Sequence, residues 1–277
     1  MERLIAKADV LVEALPYIRK FFGKTFVIKF GGKAMVEAAF KDSVVEDIAL
    51  LKYIGVNTIV VHGGGPEISA AMEKSGKKPN FVNGLRVTDE DTMKIVEEVL
   101  FGKVNKEIVD LFKKHHGKAE GLSGKTSNII TAKQMSKELG FVGEVEHIDL
   151  AILEKKKDYI HVIAPIGKGK DGHSYNINAD DAASEIAIAA KAEKLLLLTD
   201  VNGVLDSSKK LISSIHVSDV SKMVKDGTLT GGMIPKVTGA AEAVKKGVKK
   251  VHIINGNIRH SLLLEIFTDK GVGTEIL

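Results

Sequence analysis

The sequence predicts an α/β fold built on a mainly parallel sheet. Thr25 to Phe30 is a run of β-branched and aromatic residues ending in Gly31-Gly32, the pattern of a strand buried on both faces and closed by a tight turn. A helical stretch carrying Phe40, Val44, Ile48, Leu51 and Ile54 then leads to a second apolar strand, Thr58 to Val61. Strand, helix and strand in that order predict a right-handed parallel crossover. From Ala192 the alternation starts again, with the apolar strand Lys194 to Thr199.

The bulk properties suit such a fold. A chain of 277 residues buries roughly three quarters of its unfolded surface on folding, as one large domain or two modest ones. It is 44% hydrophobic and 27% charged, a globular composition rather than a disordered one. The absence of cysteine excludes disulfides, thiolate metal sites and a cysteine nucleophile, and makes the cytoplasm the expected compartment. Met1 to Val12 mixes Glu2, Arg3, Lys7 and Asp9 among its apolar residues, so no signal peptide is expected, and no run reaches membrane-spanning length. The net charge of +4 is dispersed in clusters such as Lys155-Lys156-Lys157, and aromatic residues make up only 5%. Neither nucleic acid nor a membrane is therefore expected as a partner.

Leu4, Ile5, Ala8, Leu11, Val12, Leu15, Ile18 and Phe22 recur at helical spacing, which predicts an amphipathic helix over residues 3–22. It is not needed to close the crossover, so it packs back on its own domain or docks on another subunit. Pro16 is expected to bend or break it. Lys29 is then an unusual charge inside a buried strand. It either snorkels out of an ordinary turn or stands beside an anion site, since a glycine turn that opens a helix, here from about Ala34, exposes unpartnered backbone N–H groups. The second strand ends in His62-Gly63-Gly64-Gly65-Pro66, with proline near a first helical position. Glycine turns after neighbouring parallel strands make a two-sided cradle at the carboxyl edge of the sheet, and this favours the anion reading.

Arg86, alone between Leu85 and Val87, is either a surface ion pair or a guanidinium aimed into a cleft; its apolar flanks favour the cleft. Thr88 is expected to cap the next helix, with Asp91 three residues on, and helical periodicity runs to about His116. Residues 117–159 read as short strands and hairpins with a short helix from about Asp149. Gly124-Lys125-Thr126 is not a P-loop, because Ala119 stands where that pattern needs glycine. Gly167 to Gly172 matches a dinucleotide fingerprint by spacing but does not open a helix, so it is read as a charged hairpin tip. Asn176 and Asn178 alternate on one strand face, and Asp180 falls at a helix start, as a cap, as a carboxylate among cations, or as both. Lys236, entering a helix after Thr230-Gly231-Gly232, sits where a cation is unfavourable unless an anion joins it. The two halves are expected to share one sheet.

Glycine cradles, lysines outside helix interiors and an aspartate between them meet the requirements of phosphoryl transfer, which depends on positioning and charge neutralisation. No general base stands out, and a carboxylate acceptor needs none, because a pKa of about 4 leaves it ionised at neutral pH.

The series Lys29-Phe-Gly-Gly32, His62-Gly-Gly-Gly-Pro66, Asn83-Gly-Leu-Arg-Val-Thr88, Tyr175-Asn-Ile-Asn-Ala-Asp180, Leu198-Thr-Asp-Val-Asn-Gly-Val-Leu205 and Gly231-Gly-Met-Ile-Pro-Lys236 resembles the motifs of the N-acetyl-L-glutamate kinases, within the amino acid kinase superfamily. The match runs in order over nearly all of the chain; any one motif is weak, the ordered series specific.

The resemblance implies a three-layer αβα sandwich with an N-terminal helical extension, and transfer of the ATP γ-phosphoryl group to the side-chain carboxylate of N-acetyl-L-glutamate in arginine biosynthesis. It implies that Lys29 and Lys236 neutralise charge on the transferred group while Asp180 holds both, and that Gly31, Gly32, Gly64 and Gly65 form the phosphate cradle. Gly64, Gly65, Arg86, Asn176 and Asn178 would bind acetylglutamate. Thr199, Asp200, Gly203, Gly232, Met233 and Lys236 would lie along ATP, whose Mg2+ is held by phosphate oxygens rather than by protein side chains. The implied division is residues 1–22 for oligomerisation and arginine regulation, with Tyr17 in that helix, 23–190 for acetylglutamate and 191–277 for ATP. Arginine inhibition and a homo-oligomer, a dimer or a hexamer made as a trimer of dimers, follow from similarity to the arginine-sensitive type. Lys33 departs from the pattern, which expects a small residue such as serine. The competing readings are an N-acetyl-aminoadipate kinase of lysine biosynthesis, whose relatives are expected to lack the Gly-Gly-Gly-Pro and Met-Ile-Pro-Lys forms, and a catalytically silent regulator.

Overall fold

The computed structural model describes residues 1–35 and 37–277, without the side chains of Arg3, Ala6, Lys7, Lys33 and Ala34. The Lys33 departure therefore lies outside the described side chains.

The chain opens with α1 (Glu2–Phe21), which runs without a break through Pro16. The expected break is absent: proline removes one backbone donor, and the turns on either side carry the helix across it. Apolar β1 (Thr25–Phe30) leads through a 3-10 turn at Gly32–Met35 to α2 (Ala38–Tyr53), β2 (Asn57–His62) and α3 (Gly65–Lys74). The helix after the first glycine turn thus starts at Ala38, later than expected, because Gly32 has a left-handed φ of 71° and the chain tightens before α2 begins.

A hairpin of β3 (Phe81–Val82) and β4 (Leu85–Arg86) turns on Asn83 and Gly84, both at positive φ, the geometry an Asn-Gly pair favours. Next, α4 (Glu90–Glu97), a π-helical segment Glu98–Asn105 and α5 (Lys106–Lys114) run end to end. The cap of α4 is Asp89, whose carboxylate accepts from Thr92 N, and not Thr88, whose hydroxyl donates to Arg86 O instead. A carboxylate is the stronger acceptor for an exposed helix start.

The middle of the chain holds β5 (Ala119–Leu122), α6 (Gly124–Ser127), β6 (Ile130–Gln134), β7 (Val142–Ile148) and α7 (Ala151–Glu154). It continues through β8 (Ile160–Ile163), β9 (Ile166–Gly169), β10 (Ser174–Ile177) and α8 (Ala179–Ala189). The 167–172 segment joins antiparallel β9 and β10, the expected hairpin. The last part contains β11 (Lys194–Thr199), β12 (Ser214–Ile215), α9 (Val220–Lys225), α10 (Met233–Lys245), β13 (Lys250–Asn255), α11 (Ser261–Ile266) and β14 (Thr274–Ile276).

Eight strands form one sheet in the order β12-β14-β13-β11-β1-β2-β8-β5. Its pairs are parallel except for β13 with β14. The sheet crosses both halves of the chain, and helices cover both faces over two apolar cores. Strands β10, β7, β6 and β9 close into a separate small barrel, a feature that short strands of mixed polarity did not announce. Strand β1 lies between β2 and β11, so connections leave it in opposite directions. That switch point at the carboxyl edge is where open α/β sheets leave a crevice. No helix among the described residues is long and apolar enough to cross a membrane.

Candidate active site

The crevice is a cavity of about 270 Å³ lined by the two glycine turns, Arg86, Asn176, Lys29 and Asp180. The turns touch: Gly63 N donates to Phe30 O at 2.8 Å, and a β-carbon on Gly63 would lie 3.6 Å from Gly31 Cα. Neither turn puts side-chain bulk between its backbone and the cavity. Gly65 opens α3, a ten-residue helix with Pro66 at its start, and its unpaired N–H groups favour an anion.

The charge pattern centres on Asp180, in the first turn of α8. Lys236 Nζ donates to its Oδ2 at 2.6 Å, and Lys29 Nζ forms an ion pair with its Oδ1 at 3.1 Å. The Lys29 contact falls outside hydrogen-bond angles, which leaves the buried Oδ1 short of a donor. Burial raises the Asp180 carboxyl, but Lys29 and Lys236 outweigh it and hold it below the ordinary carboxylate value. The carboxylate is thus ionised and binds two ammonium groups from β1 and α10 at one point. Lys29 turns back over Gly31, where a β-carbon would come 2.6 Å from its Nζ. Glycine is needed there to make room for the ammonium.

Arg86 forms the opposite wall. Its Nη2 donates to Gly65 O and Ser69 Oγ, both at 2.9 Å, and its Nη1 reaches Met72 Sδ at 3.2 Å. Its guanidinium lies 4.7 Å from the Phe81 ring centroid. Burial lowers its pKa from the ordinary value, though an arginine stays charged. The cleft reading of Arg86 is therefore correct, and the surface ion pair is not. Asn176 Nδ2 donates to Thr88 Oγ1 at 3.3 Å, which ties β10 to the Arg86 segment through Thr88. Ser69 and Phe81 escaped the sequence reading, because a serine in a helix and a phenylalanine beside a turn carry no local signal of an arginine partner.

The amino acid kinase family model matches residues 24–255. An acetylglutamate kinase from Caldicellulosiruptor bescii is 53% identical over 100% of this chain and 98% of its own length. Another, from Methanocaldococcus jannaschii, is 51% identical over 100% of this chain and 98% of its own. The chain belongs to the amino acid kinase family.

Within that family it is a kinase of the acetylglutamate kinase group. Among solved structures it is similar to N-acetylglutamate synthase from Neisseria gonorrhoeae in complex with coenzyme A and N-acetyl-glutamate, with a TM-score of 0.87 at 25% identity. The alignment covers 97% of this chain and spans 63% of the synthase.

In this amino acid kinase family member Asn178 also lines the cavity, whereas Thr199, Asp200, Gly203, Gly232 and Met233 lie outside its walls. Thr199 ends β11, the strand beside β1, Asp200 follows it, and a β-carbon on Gly32 would lie 4.0 Å from Asp200 N. Gly232 and Met233 begin α10, one turn before Lys236. Gly203, at a φ of 131°, has a structural reason of its own, since a β-carbon would meet Thr274 Oγ1 at 2.6 Å. Asn178 departs from expectation only in its element. Strand β10 ends at Ile177, and Asn178 caps α8, its Oδ1 accepting from Asp180 N at 2.8 Å and Asp181 N at 3.3 Å. The cap reading offered for Asp180 moves to Asn178, which frees the aspartate for the lysines. Among the described residues no group of three or more His, Asp or Glu side chains is arranged to hold a metal ion. Tyr17, in α1, donates its hydroxyl to Asp269 and sets its ring edge against Phe267.

Proposed function

We propose that this chain transfers the γ-phosphoryl group of ATP to the side-chain carboxylate of N-acetyl-L-glutamate, yielding N-acetyl-L-glutamyl 5-phosphate in the second step of arginine biosynthesis. The observation that carries this reading is the convergence of Lys29 and Lys236 on the Asp180 carboxylate beside two bare glycine turns. Phosphoryl transfer needs fixed positive charge around the equatorial oxygens more than it needs covalent help. Lys29 and Lys236 would flank those oxygens, and Asp180 would keep two like charges from separating. Backbone N–H groups of Gly32 and Gly65, within the cradle of Gly31, Gly32, Gly64 and Gly65, would face the phosphoryl group. Arg86 would clamp a substrate carboxylate, with Asn176 beside it. Asn178 would act by capping α8 and holding Asp180. Thr199, Asp200 and the α10 entry at Gly232 and Met233 would follow ATP, with Mg2+ carried on its phosphate oxygens. Residues 23–190 would then supply the acetylglutamate lobe and 191–277 the ATP lobe.

Release of ADP with acetylglutamate, compared with N-acetyl-aminoadipate at equal concentration, tests the substrate. A pocket discriminates one methylene by about 1 to 3 kcal/mol. Faster turnover of the longer acid would overturn the assignment.

We also propose arginine inhibition and a homo-oligomer, a trimer of dimers, acting through residues 1–22. Leu4, Leu11, Val12 and Leu15 of α1 are exposed, an apolar face that suits a second copy. A cavity of about 600 Å³ lies between α1 and the C-terminal segment; it is lined by Tyr17, by Lys20, Lys194, Lys250 and Lys270, and by the carboxylates of Glu265, Asp269 and Glu275, which are the groups that would take a guanidinium. Deleting residues 1–22 should abolish inhibition and reduce the assembly to dimers in light scattering. A full-length protein already dimeric and insensitive to arginine contradicts this part.

A further inference from the structure

The loop Gly63–Gly65 is held from behind by the π-helical segment Glu98–Asn105. His62 is fully buried at the end of β2; its Nδ1 lies 2.7 Å from Gly63 O and its Nε2 3.2 Å from Asn105 Nδ2. A carbonyl oxygen only accepts, so Nδ1 carries the proton and Nε2 is the acceptor. The same Asn105 amide nitrogen donates to Val162 O at 2.9 Å, which fixes the amide orientation independently. Two other features admit this contact. A β-carbon on Gly121 would overlap Asn105 Oδ1, and one on Gly64 would overlap Leu100 of the π-helical segment. A π-helical turn shifts register by one residue relative to an α-helix, and here it brings Leu100 under Gly64 while Asn105 faces His62.

We infer that Asn105, acting through His62, is a positioning residue that sets the backbone donors of Gly64 and Gly65 for phosphoryl transfer. The inference rests on the proposed kinase reading. A neutral imidazole with its proton on Nδ1 holds the Gly63 carbonyl while Gly63 N–H is taken by Phe30 O, which leaves the N–H groups of Gly64 and Gly65 for the phosphoryl group. Asn105 selects that tautomer by offering Nε2 a donor. Burial pushes the His62 pKa down to about 4, opposed only by the Gly63 carbonyl, and no charged side chain on β1, β8 or the π-helical segment acts on its titration. The tautomer therefore holds across the neutral range.

The variant Asn105→Asp of the full chain preserves size and replaces the donor by an acceptor. Its carboxylate turns His62 Nε2 into a donor, which at high pH leaves Nδ1 without a proton against the Gly63 carbonyl. Expected at pH 8 is a kcat lower by about tenfold or more, with KM for acetylglutamate changed by less than about threefold. The introduced carboxylate beside Nε2 also favours the charged imidazole and raises the His62 pKa in the variant; protonation then restores both donors, so the deficit shrinks towards pH 6, whereas wild type shows no matching change. A folded Asn105→Asp enzyme whose kcat follows wild type at every pH overturns the inference. Nitrogen-15 NMR of the wild-type protein is the second measurement, independent of the variant's folding. A neutral His62 with its proton on Nδ1 from pH 6 to 8 supports it, and a proton on Nε2 overturns it. If wild type does not phosphorylate acetylglutamate, the function reading fails by itself. The amide shifts of Gly63–Gly65 then decide the inference: moved in Asn105→Asp they support it, unmoved they overturn it.

Discussion

Lys236 on α10 and Asp180 on α8 meet at 2.6 Å, and Lys29 on β1 reaches the other oxygen of the same carboxylate at 3.1 Å. Removing the lysine and removing the aspartate should therefore have different consequences. Lys236→Ala takes away one charge near the phosphoryl group, and turnover should fall by roughly a hundredfold or more while the fold survives. Asp180→Asn leaves two ammonium groups facing each other, so it should reduce both turnover and thermal stability. The Asp180 pKa is lowered in the folded state, so its stabilisation is present above the ordinary carboxylate value and is lost as pH falls through the lowered one. The melting temperatures of wild type and Asp180→Asn should differ at pH 7 and converge in acid. Equal melting temperatures at pH 7 would refute the anchoring role.

His62 and Asp47 should tilt stability in opposite directions over overlapping pH ranges. His62 drops from 6.5 to about 4 by burial, so its folded form is fully stable above 6.5 and loses stability as pH falls towards 4. Asp47, buried in α2 with its Oδ1 2.6 Å from His260 Nδ1, rises from 3.8 to about 6 by burial. Its contribution is fully present below 3.8 and is lost as pH rises through 6. Each shift corresponds to about 3 kcal/mol at most, so the two nearly cancel in wild type between those limits. Asp47→Asn should unmask the acid loss from His62, and His62→Gln should reverse the slope. Denaturant unfolding at pH 4, 5, 6 and 7 measures both, and parallel slopes in the two variants would contradict this account.

Gly31→Ala should act on Lys29 rather than on the turn. Gly31 has no positive φ, and the atom its β-carbon would meet at 2.6 Å is Lys29 Nζ, the mobile end of a long side chain. The ammonium should move off Asp180, with turnover reduced by about tenfold to a hundredfold and the melting temperature shifted by only a few degrees. A large melting shift with full activity would show that the backbone, not Lys29, is constrained there.

Arg86→Lys should raise KM for acetylglutamate by roughly tenfold to a hundredfold and leave the KM for ATP close to wild type. Lysine keeps the charge but loses the planar guanidinium whose Nη2 donates to Gly65 O and Ser69 Oγ while its Nη1 reaches Met72 Sδ, and the stack on Phe81. Steady-state kinetics with each substrate varied separately makes the distinction. An equal rise in both constants would place Arg86 elsewhere in the reaction.

The strand β1, both glycine turns and the α/β alternation were legible in the sequence, because each is encoded in neighbouring residues. Lys29, Lys236 and Asp180 were visible as oddly placed charges. Local errors had local causes: Asp89 outcompetes Thr88 as a cap, and Asn178 takes the cap position next to Asp180. The small β10-β7-β6-β9 barrel and the π-helical segment left no comparable trace, since pairing between distant short strands and a one-residue helical bulge depend on what packs against them.

By itself the sequence determined the class of fold, the family resemblance and the identity of the charged residues. The tertiary structure alone decided which atoms those charges meet: that one carboxylate is shared by Lys29 and Lys236, that Arg86 is pinned by Ser69 and stacked on Phe81, and that Asn105 reaches His62 behind the cradle. Periodicity and turn chemistry are properties of a few adjacent residues. Contacts between residues far apart in the chain arise only when the sheet and its helices close around them, and these contacts orient the site.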